Sequence, residues 1–137
     1  MPPIPNLRTA RSFQTLDSTH TYARSLINNL ESFLPEEFIN HAYSLKHLGF
    51  NEYAWDQNYI LKVIHYLWEK KIIILGGDVY TQSNGVLEMA YANWYFNVDL
   101  ADTMEHNVNH SVETAMKYIN NYSDKNNSYY SLVIRGT

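Results

Sequence analysis

The sequence predicts an α+β domain: a small, mainly antiparallel sheet with about four helices packed on it. Three observations carry this reading. Apolar residues recur at helical spacing through most of the first half. Short β-rich runs, notably Ile72–Leu75 and Ala92–Val98, gather in the second half. At 137 residues the chain is long enough for one sizeable core, so residues 1–137 read as a single domain.

The elements follow in order. Met1 to Leu16 begins Pro-rich and reads as extended or frayed. Asp17 and Ser18 are N-cap types, and Tyr22, Leu26, Leu30 and Phe33 follow at helical spacing, predicting a helix over Thr19–Ser32. Pro35 suits a first helical position, and Glu36 and Glu37 suit a first turn. With the stripe Phe38, Ala42, Leu45 and Leu48, and Gly49 beyond it, they predict a second helix over Pro35–Leu48. Tyr53-Ala54-Trp55 reads as a short strand. Asp56 then caps a third helix, Gln57–Lys70, with Trp55 and Ile60 placed as a hydrophobic staple. Its wide apolar face holds Ile60, Val63, Ile64, Leu67 and Trp68. Ile72–Leu75 is a strand buried on both faces that stops at Gly76-Gly77, and Asp78–Tyr80 resumes extended structure. Thr81–Gly85 is a turn-rich loop. Ala92–Val98 is a strand in which Trp94, Phe96 and Val98 share one parity and Tyr95 points the other way, which makes Trp94 core. Asp99–Asn109 reads as a polar loop. Ser111 caps a last helix ending near Asn121, Ser123–Asn127 is a loop, and Tyr129–Ile134 a last strand.

Composition narrows the function. There is no cysteine, hence no disulfide framework or thiolate metal site. The first residues hold no long apolar stretch, and the longest strictly apolar run, Ile72–Leu75, is too short to span a bilayer. The chain therefore reads as soluble and cytoplasmic. Twelve Tyr, five Phe and three Trp suit half-buried positions and binding surfaces, and most of the tyrosines suit the rim of a small core. Charge is uneven. From Ile72 to Met116 there are six acids (Asp78, Glu88, Asp99, Asp102, Glu105, Glu113) and no Lys or Arg. Such a field attracts a basic partner and repels nucleic acid; it also serves as a plain solvated surface.

No catalytic set stands out. There is no nucleophile elbow, phosphate loop or dinucleotide fingerprint. His106 and His110 are four apart, but Asn107-Val108-Asn109 lies between them, and they read as polar loop histidines; no metal or other cofactor is implied. Asp78 alone is weak evidence for acid–base chemistry. Gly76-Gly77-Asp78 reads as a structural corner, glycine supplying unusual backbone angles.

The string Ile73-Ile74-Leu75-Gly76-Gly77-Asp78-Val79-Tyr80 resembles the Leu-Gly-Gly-Asp-Val-Tyr signature of the immunity protein 40 family. The amphipathic helix before it, Asn93-Trp94-Tyr95 after it, and Ser111 through Tyr118-Ile119 are similar to that family as well. The resemblance covers about Glu52 to Ile134 and makes Gly76, Gly77, Asn93 and Trp94 its structural motif. It implies a bacterial protein that neutralises a cognate toxin by binding, without chemistry of its own. The toxin is unidentified; the acidic segment suits a basic, nuclease-like one. No nucleic-acid or membrane partner is expected.

Three function classes follow: an immunity protein, a general adaptor or regulatory module, and a small enzyme using Asp78 with His106 or His110. Under the first, the partner-binding surface is expected on Asp78, Tyr80, Tyr95, Asp99, Asp102 and Glu105, where acids and tyrosines on alternating strand positions meet.

Overall fold

The computed structural model describes residues 30–122 and 124–135. The extended segment 1–16 and the predicted helix Thr19–Ser32 lie outside them, except for Leu30–Ser32, a 3₁₀ turn. The described residues form strands β1 (Tyr43–Ser44), β2 (Tyr53–Asp56), β3 (Ile74–Ser83), β4 (Val86–Tyr95), β5 (Ser128–Tyr130) and β6 (Val133–Ile134). The helices are α1 (Glu36–Asn40), α2 (Gln57–Glu69) and α3 (Met104–Asn121), three among the described residues where about four were expected. The strands make one sheet in the order β1-β2-β5-β3-β4, with β6 also on β3. Every pairing is antiparallel, as predicted. No described helix is long and apolar enough to cross a membrane.

Strand alternation divides the interior in two. Trp55, Val79, Trp94 and Tyr130 face α2 and α3 and join Ile60, Val63, Ile64, Leu67, Ala115 and Ile119 in the main core. Their chain neighbours Ala54 and Tyr80 face the other way and pack with Leu45 and Leu87. This division corrects the predicted helix Pro35–Leu48. Phe38 and Ala42 pack on the main core, whereas Leu45 and Leu48 pack on the opposite face of the sheet. One straight helix cannot reach both, so the chain leaves α1 after Asn40, adds β1 to the edge of β2, and turns through a 3₁₀ segment at Lys46–Leu48. Trp55 Nε1 donates to the Phe38 carbonyl at 2.8 Å and ties the two parts together.

α2 forms as its sequence dictates except at Trp68, expected on the apolar face but 44% exposed. The Asp56 carboxylate accepts from the Tyr59 amide at 2.8 Å, and Ile60, Val63, Ile64 and Leu67 are buried on one stripe. The helix ends in a Schellman pattern, Lys71 N–H to Trp68 C=O and Ile72 N–H to Leu67 C=O, with Lys71 at φ 61°.

The expected corner at Gly76-Gly77 is absent, since β3 runs through both glycines, but the unusual backbone angle expected there is present at Gly76, φ 156°, where the pairing with β6 shifts register. Proximity requires both glycines. A Cβ on Gly77 would strike the Ser131 carbonyl and the Trp94 ring, and one on Gly76 would strike the Trp94 carbonyl. Glycine at position 77 leaves the room that the Trp94 ring occupies against β3. The predicted loop Thr81–Gly85 shrinks to a two-residue hairpin: Asn84 (φ 53°) and Gly85 (φ 79°) both have positive φ, as a type I′ turn needs. β4 correspondingly starts at Val86 and ends at Tyr95, earlier than the predicted Ala92–Val98.

α3 starts at Met104, eight residues before the predicted start, so His106 and His110 are helical rather than in a loop. Thr103 is its N-cap, accepting from the His106 amide at 3.1 Å. Ser111, expected as the cap, is buried mid-helix, and its hydroxyl oxygen accepts from the Ile74 amide at 3.0 Å. That contact anchors α3 to the start of β3. The predicted last strand Tyr129–Ile134 is two short ones, β5 and β6, interrupted at Ser131-Leu132.

Candidate functional site

The distinctive surface lies where β4 and the start of α3 meet the outside. β4 is the last strand in the sheet order, and among the described residues it pairs with β3 alone. Its register slips between Val79 and Tyr80: Val79 opposes Ala92 but Tyr80 opposes Met89, which leaves Ala90 and Tyr91 as a bulge. Tyr91 sits at φ 56°, a conformation that is an outlier for a bulky residue. Its side chain is 83% exposed. Alternation places Tyr91, Asn93 and Tyr95 on the sheet face away from the helices, and Tyr95 is 52% exposed.

Past Tyr95 the chain makes a tight loop before α3. Asn107, buried on α3, holds it: its side-chain oxygen accepts from the Asp99 amide at 2.8 Å, and its side-chain nitrogen donates to the carbonyls of Asp99 and Thr103, each at 2.9 Å. Asp99 also accepts from the Ala101 amide, and Asp102 from the Thr103 amide. This loop presents Leu100, 84% exposed, and leads into Met104, 55% exposed. Asp99 and Glu105 are exposed and Asp102 partly so. The predicted set therefore divides. Tyr95, Asp99, Asp102 and Glu105 reach the surface within one short stretch. Asp78 and Tyr80 are buried in β3, Tyr80 completely. Trp94 is buried and stacks on Tyr118 at 5.1 Å between ring centroids.

The acids carry local structure as well as charge. Asp102 Oδ1 lies 2.9 Å from His106 Nδ1, and the rings of His106 and His110 stack. The Thr103 backbone amide, and then His106, hold the Asp102 carboxyl below its ordinary range. Among the described residues no group of three or more His, Cys, Asp or Glu side chains gathers as a metal site would require.

A groove of about 690 Å³ opens on the helix side, lined by Trp94 together with Thr114, Lys117, Tyr118, Asn121 and Tyr122 of the α3 end. Burial, and then the neighbouring Tyr122, push the Tyr118 hydroxyl up to about 12, so it stays protonated at neutral pH. The groove's polar lining is Lys, Thr, Asn and tyrosine hydroxyls; the Asp78 carboxylate, outside the lining, also acts on Tyr118.

Sequence reasoning missed Tyr91, Leu100, Met104 and Lys117. Tyr91 was within reach through its parity with Tyr95. Leu100, a lone large apolar residue among acids, was a second signal. Met104 was hidden because the start of α3 was misplaced, and Lys117 because the groove depends on how α3 lies on β4.

No curated protein and no solved structure matches the chain. The family model described as Immunity protein 40 matches residues 44–134. That span contains strands β2 to β6, α2, α3 and the surface just described, so this chain belongs to the immunity protein 40 family.

Proposed function

We propose that this protein protects its cell by binding a cognate toxin through the surface at the end of β4 and the start of α3. One observation carries the reading: Tyr91, Tyr95, Leu100 and Met104 stand exposed among Asp99, Asp102 and Glu105 on one continuous stretch. Exposed apolar anchors ringed by like charge are the composition of a protein-binding site. The interleaved acids suit a basic toxin such as a nuclease, and they raise its rate of encounter. The Asn107 hydrogen bonds keep the loop in one shape, which reduces the ordering cost of association. Membership of the immunity family supports neutralisation by occupancy. Asp78 and Tyr80 serve by supporting the sheet beneath the surface.

The test is co-expression of the chain with the toxin encoded beside it. Wild type is expected to restore growth. Asp99→Lys with Asp102→Lys, and separately Tyr95→Ala, are expected to fail while staying folded. Full protection by both folded variants would place the interface elsewhere.

A further inference from the structure

The hydrogen-bond parity of β4 shows where its outer edge is open among the described residues. Phe96 N–H donates to Leu75 C=O at 2.8 Å, so Trp94 and Ala92 also turn their backbone groups toward β3. Asn93 then turns its N–H and C=O outward. The opposite side of the same ladder agrees, since the Asp78 carbonyl, paired with Asn93, points away from β4 and accepts from the Ser131 amide. Nearer the hairpin, Leu87 also turns outward, but its carbonyl is taken by His47 Nε2 at 2.7 Å. The Ala90-Tyr91 bulge separates these two halves. One half of the edge is thus covered by the Lys46–Leu48 turn, and the half around Asn93 lies beside the groove that Trp94 shares with α3. Trp94 adds a second sign of an occupant: its buried indole N–H finds no acceptor among the described residues.

We propose that an extended segment of the toxin adds to β4 at Asn93 as a further strand. The residue facing Trp94 is acidic and enters the groove over Lys117. Strand addition supplies the backbone pairing, and alternate side chains supply the selectivity. The acidic choice follows from the lining: Lys117 is the charged group there, the Trp94 N–H is a donor, and Thr114 and Asn121 can each donate. The opposite parity of the incoming strand falls on the Tyr91 and Tyr95 face, so strand and acidic surface are used together. This inference rests on the toxin-binding reading.

The probe is the purified product of the neighbouring toxin gene, titrated into the full chain, with amide hydrogen exchange followed at Asn93. Asn93→Pro removes the outward N–H at an edge position where proline is tolerated. Lys117→Glu reverses the exposed groove charge on α3. The expected result is slowed exchange at Asn93 in the complex, with affinity about tenfold weaker or more for each variant at unchanged melting temperature. Should Asn93→Pro fail to fold, Lys117→Glu and the exchange data decide. A complex of wild-type affinity with both variants, and unchanged exchange at Asn93, overturns the strand addition and leaves toxin binding standing. If no complex forms with the wild-type chain, the toxin-binding reading fails and this site falls with it.

Discussion

Gly77→Ala tests the packing between β3 and β4. The added Cβ meets the Ser131 carbonyl and the Trp94 ring, whose Cζ3 lies 2.8 Å away. Neither can move aside. Ser131 is fixed through its N–H bond to the Asp78 carbonyl at 3.0 Å, and Trp94 is held beneath Tyr118. Overpacking of this kind costs about 1–3 kcal/mol, and a backbone partner puts it near the top of that range. Alanine gives back up to about 1 kcal/mol by restricting the unfolded chain, for a net loss of about 2 kcal/mol. In a domain of this size that corresponds to a fall in melting temperature of roughly 8 °C. Gly85→Ala is the control. Its position has φ 79° but nothing within 4 Å of the new Cβ, so it suffers only the left-handed strain of about 1 kcal/mol. Thermal unfolding followed by circular dichroism ranks the two. The reasoning is refuted if Gly77→Ala melts with wild type, or above Gly85→Ala.

Three further outcomes follow from the same geometry. Asn107→Ala removes three hydrogen bonds that close the Asp99–Thr103 loop; it should cost about 2–3 kcal/mol in urea unfolding and slow toxin association as the loop loosens. Ser111→Ala leaves the Ile74 amide without its acceptor and should cost about 1–3 kcal/mol, read by the same unfolding curve. Asp102 is held below its ordinary range when folded, so it adds stability above about pH 4 that is lost as pH falls through the depressed value. Asp102→Asn should therefore flatten the acid limb of melting temperature against pH, and an unchanged limb would deny Asp102 that role.

Local chemistry made α2 readable: Asp56, its staple and four apolar residues on one stripe agree with one another, and nothing in the tertiary structure opposes them. The antiparallel sheet was readable from its alternating aromatics. The helix Pro35–Leu48 was not, because its spacing is helical while its residues serve two cores on opposite faces of the sheet. Gly76-Gly77 reads as a break in one dimension; its cause, the Trp94 ring across the ladder, exists only once β3 and β4 pair. The first turns of α3 carry polar residues whose bonds are tertiary: Asn107 closes a loop and Asn109 accepts from Trp68 Nε1 of α2. A search for apolar period passes over such a segment. The same limit applied to the surface. Asp78 and Tyr80 have the composition of a binding patch, but both are buried in β3, Tyr80 beneath Leu45 and Leu87.

The central claim is neutralisation by stoichiometric binding, without turnover. The direct measurement is toxin activity in vitro against increasing amounts of the purified chain. The account predicts a linear fall that reaches zero at one chain per toxin and does not deepen with longer incubation. Complete inactivation by a small fraction of an equivalent, progressing with time, would show that the chain acts as a catalyst and would contradict it.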